Sequence, residues 1–380
     1  MEVPRVTRIL NNEIVLLAVL SVAAFGVFIF TRHMSTLERQ LNAKIAAVWF
    51  ERGEQYLKAG ETNKAIRSFR SATAKVEDDP KYTLALANAL AAEKHTQEAE
   101  SLLFRLREAD AENPDVNLSL ARLAAQQQGD IQEAVRYYQN ALYGRWTGDQ
   151  LDQRQQVRFE LVRFLLAHQQ QYLATSELFV LQNRVPDSAA AHIEIAKLFV
   201  EANDLPHALQ EYAAAIRLDG SNVETLTAAG QVAFQLGNYQ QAEEYLRAAL
   251  EAKPDSQDTR HLLTLTRLVL SADPLLRHLT SWDRKNRLRA AIELSKTRLE
   301  SCLSQTPDDK ASAELQSLKA EAFATEAMLR AKSPPDTDTV RAGVDLVFRM
   351  QQAASGACGR PSEADQALLL IGRQHNGERP

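Results

Sequence analysis

The sequence predicts an all-α protein: a solenoid of stacked helix–turn–helix units, with a transmembrane helix ahead of it and a helical extension behind it. Three observations carry that prediction. The stretch Val223–Pro254 reads as two short amphipathic helices around a turn at Gly237-Asn238. Its apolar residues recur three and four positions apart (Leu226, Ala229 and Gly230, then Tyr245, Leu246, Ala249 and Leu250), which is the helical period. Pro254 ends the pair because its ring blocks further helix. Small residues then recur one hairpin apart: Ala242, Ala208 and Ala174 stand 34 residues from one another, and Ala134, Ala99 and Ala65 continue the series upstream at gaps of 40, 35 and 34. One such hairpin cannot bury its own apolar faces, so copies must stack. Finally, Ile14–Phe30 is an unbroken apolar run whose only polar residue is Ser21.

The apolar run divides the chain in order. Residues 1–12 form a short tail, 13–31 a membrane anchor and 32–45 a helical stem. Seventeen residues at ~1.5 Å each span about 25 Å, near the lower limit for crossing a hydrocarbon core. A cleaved signal peptide competes with this reading, but it wants a shorter apolar core and a small-residue cleavage site, and the run is followed by TRHMSTLERQ. Arg5 and Arg8 precede the run, and Arg32, Arg39 and Lys44 follow it, so the positive-inside bias is nearly balanced. The expected topology has the N-terminus in the cytoplasm and the body across the inner (cytoplasmic) membrane, in the periplasm or another extracytoplasmic space. Helical period continues from Met34 to Lys58 without a Gly, Ser or Pro linker, which holds the array close to the bilayer.

About six repeats occupy residues 46–254. The second runs from about Lys81 to Pro114, with Ala87 in place of a glycine and Leu103 in place of an aromatic. The third carries one extra turn residue in Gln126-Gln127-Gln128-Gly129-Asp130. The insertion Gly144–Asp152 explains the longer gap before the fourth, which spans about Gln155–Pro186, and the fifth spans Ala189–Gly220. Trp146, in the insertion, is either an exposed anchor or a lid over the joint between repeats.

These residues resemble the tetratricopeptide repeat family, a helix–turn–helix of about 34 residues. The first copy matches at Trp49, Gly53, Tyr56, Ala65, Phe69 and Ala72, and the last at Gly230, Gly237, Tyr239, Ala242, Ala249 and Pro254. The resemblance implies a concave face lined by the first helix of each hairpin. It places Phe50, Leu84, Leu118, Phe159, Ile193 and Thr227 at the fifth position of those helices, and Glu54, Asn88, Arg122, Arg163, Lys197 and Gln231 at the ninth. An apolar row beside Arg122, Arg163 and Lys197 suits an extended peptide that bears a carboxylate. The alternative is that the charges are merely solvated and the apolar positions pack between helices. Family members that clamp chaperone C-termini carry lysine and asparagine where this chain has Phe50 and Glu54, so that acidic tail is not the expected ligand.

Residues 255–373 form a helical extension. Asp258–Leu270 is expected to cap the open end of the array. Asp283–Leu303 carries Arg284, Lys285, Arg287 and Arg289, which would either touch anionic headgroups or an acidic partner, or form a solvated face. Further helices are expected over Lys310–Lys332, Thr337–Ala354 and Ser362–Ile371, with a frayed tail at 374–380. Cys302 and Cys358 form a disulfide if the body lies in an oxidising compartment, and are otherwise two unrelated thiols.

No catalytic signature emerges. None of the eight histidines makes an H-E-x-x-H pair, and there is no G-x-S-x-G turn and no phosphate-binding glycine loop. No enzyme, cofactor or metal site is expected. A net charge of −5 gives no reason to expect nucleic acid. The expected function is a membrane-anchored scaffold that holds a protein or peptide segment at the cell envelope. The alternatives are a translocon-associated periplasmic holdase for unfolded chains and a self-associating structural tether.

Overall fold

A computed structural model of the chain describes residues 5–77, 79–127, 130–146, 150–184, 186–304 and 310–377. Among them there are seventeen α-helices and no strand. The chain divides into two compact units, residues 1–164 and 165–380.

The first unit begins with α1 (Arg5–Lys58), an uninterrupted helix of 54 residues. Arg5–Asn12, expected as a tail, belong to it. The last turns of α1 pair with α2 (Thr62–Lys75) as the first hairpin. Gly53 lies directly on Phe69, where a Cβ would come within 2.4 Å of the ring. The next hairpins are α3 (Pro80–Ala92) with α4 (Thr96–Ala109) and α5 (Pro114–Gln126) with α6 (Ile131–Tyr143). α7 (Leu151–Ala167) follows the insertion and crosses the division between the units. The second unit continues with α8 (Gln171–Gln182), α9 (Ala189–Glu201), α10 (Leu205–Leu218), α11 (Val223–Gln235) and α12 (Tyr239–Ala252).

Local chemistry repeats with the hairpins. Asp79, Asn113, Ser188 and Asn222 each cap a first helix, accepting from backbone N–H groups two or three residues on. Each cap contributes roughly 1 kcal/mol. Pro80 and Pro114 take the first helical position, where a missing N–H costs nothing. The alanines that mark the repeat, Ala65, Ala99, Ala134, Ala174, Ala208 and Ala242, are all 0–1% exposed. They sit where the second helix meets its partner, and a larger side chain would push the helices apart.

One feature of the hairpins is invisible in composition. Five first helices end in the same turn. Gly60, Lys94, Gln169, Asn203 and Gly237 have φ between 59° and 74°, the left-handed region. In each case the following N–H reaches back to the carbonyl five residues earlier, as in Asn238 to Ala233 (2.9 Å) and Gln170 to Leu165 (2.8 Å). This is the Schellman cap, which satisfies otherwise orphaned carbonyls. Glycine fills the position twice, and three L-residues are held there against their preference. The extra turn residue expected in the third repeat falls at residues 128–129, outside the described residues.

Beyond α12 the repeat spacing persists for one more helix. α13 (Gln257–Ala272) starts 34 residues after α11 and is capped by Ser256. The extension then folds over it as α14 (Ser281–Leu303), α15 (Lys310–Leu329), α16 (Thr337–Ala357) and α17 (Glu363–His375). Buried side chains from Tyr239 and Leu265 through Leu288, Val344 and Leu368 form one continuous core. α17 packs on α13, so the last helix of the chain covers the last helix of the repeat series. Gln374, expected in a frayed tail, donates to the Gly237 carbonyl (3.3 Å), and His375 lies 3.2 Å from Asp273.

Candidate binding face of the repeat helices

Each first helix exposes its ninth-position residue to solvent. The position before it on each helix is filled by a small or buried residue: Gly53, Ala87, Ala121 and Val162 in the first unit, Ala196 and Gly230 in the second. That residue faces the second helix. One residue on, 100° round the helix, the side chain is turned away from the hairpin partner. Glu54, Asn88, Arg122 and Arg163 are accordingly exposed in the first unit, and Lys197 and Gln231 in the second.

The apolar row behaves differently from expectation. Phe50, Leu118 and Phe159 are only 6%, 8% and 4% exposed. Phe50 packs between Phe69 and Tyr82, with ring centroids 5.5 and 5.2 Å away. These three side chains belong to the packing between neighbouring helices and are unavailable to a ligand. The reason is geometric: a fifth-position side chain lies at the seam where one hairpin meets the next, and a large ring there is buried by the stacking itself. Leu84, Ile193 and Thr227 remain half-buried and keep one edge in solvent.

The charges also carry partners that the sequence did not reveal. Arg122 grips Glu160 through both arms of its guanidinium, Nε to Oε2 at 2.9 Å and Nη2 to Oε1 at 2.6 Å. That bond raises the Arg122 pKa, and its fork is already occupied by a carboxylate. Burial, with Glu160 nearby, pushes the Tyr138 phenol up to about 12. Arg163 lies over its own neighbour Phe159, 5.8 Å from the ring centre. Lys197 is exposed on α9.

A second polar cluster went unnoticed in the sequence because its members are far apart in the chain. Glu211 on α10 is buried, and takes a bond from Gln182 (2.6 Å) and one from His192 Nδ1 (2.7 Å). The other ring nitrogen of His192 reaches Asp187 at 2.9 Å. Burial pulls the His192 pKa down, but its bonds to Glu211 and Asp187 outweigh it and the net shift is upward. The cluster ties α8, α9 and α10 together, which is a structural role.

In the extension, the basic cluster of α14 is neither a headgroup site nor a solvated face. Arg287 donates to the carbonyls of Leu270 (2.7 Å) and Asp273 (3.0 Å) at the end of α13. Arg284 donates to Leu276 and Leu279, and Lys285, itself buried, to Ala331 just beyond α15. Cations at helix C-termini satisfy orphan carbonyls and complement the helix dipole. Arg289 alone of the four is exposed. Trp146 is half-buried, its indole N–H on the Ala141 carbonyl (2.8 Å), and so it packs against its own repeat.

Cys302 at the end of α14 and Cys358 just after α16 are joined by a disulfide, with Cα atoms 5.4 Å apart. Beside it, Gln351 is fully buried and donates to Ser295 and Asp365, both at 3.0 Å, while accepting from Arg298 at 2.8 Å. A cavity of about 650 Å³ lies between the starts of α12 and the end of α17, lined in part by Tyr239, Asp273, His278 and His375. The Tyr239 hydroxyl has no hydrogen-bond partner among the described residues, and burial followed by the nearby Asp273 pushes its pKa up. No group of three or more His, Cys, Asp or Glu able to hold a metal occurs among the described residues.

Family models described as tetratricopeptide repeat match residues 56–123 and 193–257. No curated protein matches the chain. Among solved structures, PilF of Pseudomonas aeruginosa is 17% identical, covering 59% of this chain and 98% of its own, with a TM-score of 0.41. YrrB, a repeat protein with an unusual peptide-binding site, is 20% identical over 51% of this chain and 96% of its own, with a TM-score of 0.39. The C-terminal part of a repeat protein from Cytophaga hutchinsonii is 14% identical over 60% and 92%, with a TM-score of 0.46. Recurrent buried alanines, shared Schellman turns and the matched segments lead to one conclusion: the chain carries tetratricopeptide repeats, matched over residues 56–123 and 193–257.

Proposed function

We propose that this chain is a membrane-anchored scaffold whose first-helix face holds an extended segment of another protein at the cell envelope. The observation that carries the reading is the exposed ninth-position side chain of each first helix, Glu54, Asn88, Arg122 and Arg163 in the first unit and Lys197 and Gln231 in the second. Half-buried Leu84 and Ile193 supply apolar contact, Asn88 and Gln231 supply backbone-like donors and acceptors, and Arg163 and Lys197 supply positive charge. Arg122 takes part only if a ligand carboxylate displaces Glu160. The preferred ligand therefore carries an acidic residue among small apolar ones.

The anchor is α1, whose residues from Leu16 onward include one stretch apolar and long enough to cross a bilayer. Those side chains are exposed and ask for lipid. The disulfide supports a body outside the reducing cytosol, in the periplasm for a bacterial inner-membrane protein.

The test is photo-crosslinking in living cells. A photoreactive residue at Asn88, Arg163, Lys197 or Gln231 is expected to capture one recurring polypeptide, while the same residue at exposed second-helix positions Arg105 and Arg247 captures none. Charge reversal at Arg163 and Lys197 together should release it. Equal capture on both faces would instead indicate a surface holdase, and capture of nothing but a second copy would indicate a self-associating tether.

A further inference from the structure

We propose that α1 pairs with α1 of a second copy as a parallel, in-register two-stranded coiled coil through the stem, continuing into the bilayer. The inference rests on the anchored reading above for its orientation. It starts from the stem, residues 31–44, where every face need not be apolar. Only three large apolar side chains occur there: Met34, Leu37 and Leu41. They are 48%, 54% and 58% exposed. Their spacing of three and then four residues puts all three on one stripe of the helix, the a and d positions of a heptad. The remaining positions are Thr, Arg, His, Ser, Glu, Gln, Asn, Ala and Lys. Leu37 and Leu41 lie beyond the apolar run, so lipid does not account for their exposure.

The stripe does not stop at the membrane. Counting back in the same three-four rhythm gives Phe30, Val27, Ala23, Leu20 and Leu16, an unbroken heptad series along one uninterrupted helix. It also lies opposite the face that takes the first hairpin. Ala46 and Phe50, which bury against the repeat, are about 160° round the helix from the continuation of the seam at Val48. Each copy can therefore keep its own array on the outside of the pair.

Three features choose a second copy as the occupant. Two chains inserted in one bilayer with the same topology can only run parallel, which brings each seam residue opposite itself. In that register His33 at g faces Glu38 at e of the other copy, an imidazole N–H against a carboxylate, and the pairing is reciprocal. The seam also ends where it should: Lys44 takes the next d position, and two ammonium groups would face each other there. Their repulsion separates the helices just before each enters its own hairpin.

Single-cysteine scanning of the full chain in native membranes tests this, with Cys302 and Cys358 kept in their disulfide. After mild oxidation, Leu37→Cys and Leu41→Cys should move most of the 42.4 kDa chain to twice that mass on a non-reducing gel. Thr36→Cys, Arg39→Cys and Ala43→Cys should leave it at least several-fold less dimerised. In detergent, the double variant Leu37→Asn with Leu41→Asn should halve the mass of the particle. A flat scan in chain that still pellets with membranes overturns the pairing and leaves the anchor intact. An adduct of Leu37→Cys with a different protein also overturns it, because the stripe then has another occupant. If the chain is instead found in the soluble fraction, the anchor falls, and the same scan judges the pairing by itself: selective cross-linking at 37 and 41 upholds it, and a flat profile ends it.

Discussion

The left-handed turn that ends five of the first helices yields a prediction with its own internal control. Lys94 and Gln169 are held at φ 64° and 59°, and both side chains are exposed. For an L-residue that conformation costs roughly 1–2 kcal/mol, because Cβ crowds the following carbonyl. Glycine removes the cost but gains freedom in the unfolded chain, worth about 0.4–1 kcal/mol against it. Lys94→Gly and Gln169→Gly should therefore each stabilise by about 0.5–1 kcal/mol. The two sites lie in separate units and share no partner, so the double variant should add. Asn203→Gly should change little, since asparagine tolerates this region better than most residues. Gly237→Ala must go the other way and lose about 1 kcal/mol or more, because its turn has φ 73° and Gln374 packs 3.4 Å from where the Cβ would stand. Urea unfolding followed by far-ultraviolet circular dichroism reads all four. If Lys94→Gly and Gln169→Gly both destabilise, or Gly237→Ala is silent, the shared-turn argument fails.

The other predictions address the extension and the charges. The Cys302–Cys358 disulfide closes a sequence separation of 56 residues, and replacing both cysteines by serine should cost about 4 kcal/mol on the loop-entropy estimate, measured by denaturant unfolding; a loss below about 1 kcal/mol would refute the estimate. Arg287→Ala should cost about 2 kcal/mol by stripping two carbonyls at the end of α13, while Arg289→Ala, two residues on, should cost close to nothing; equal effects in thermal melts would return the cluster to a solvated face. The His192 pKa is raised in the folded state, so its contribution is full below the unfolded value near 6.5 and fades as pH rises through the higher folded value. Melting temperature should fall across that alkaline step, and His192→Gln should flatten it; an unchanged profile in the variant would remove His192 as the cause. On the acid side, bonds from Lys296 and Arg330 hold the Glu326 carboxyl at about 2, so stability should decline as pH falls from about 4.5 toward that value.

How much of this was legible beforehand depended on whether the signal was local. Helical period, the small residues at 34-residue intervals and the apolar run are all properties of neighbours in sequence, and they located the hairpins and their order. The positions of Ala65 through Ala242 follow directly, because close helix approach admits nothing larger. The candidate face was only half readable. Its ninth-position residues are exposed, but Phe50, Leu118 and Phe159 could not be told from ligand-facing side chains until the packed chain showed them buried. Lys94 and Gln169 gave no warning either, since nothing in lysine or glutamine announces a left-handed turn; the stacked helices impose it.

The amino-acid order alone therefore determined which segments coil, where hairpins repeat and where a bilayer-length apolar stretch lies, because each is decided within one or two helical turns. Which charges are spent was settled only by tertiary contact. Arg122 and Glu160 stand 38 residues apart, and Arg287 finds the end of α13 only once α14 has folded back. A charge in a sequence has no partner until the chain brings a distant carboxylate or an uncapped helix end within about 3 Å, and that proximity is a property of the whole packing.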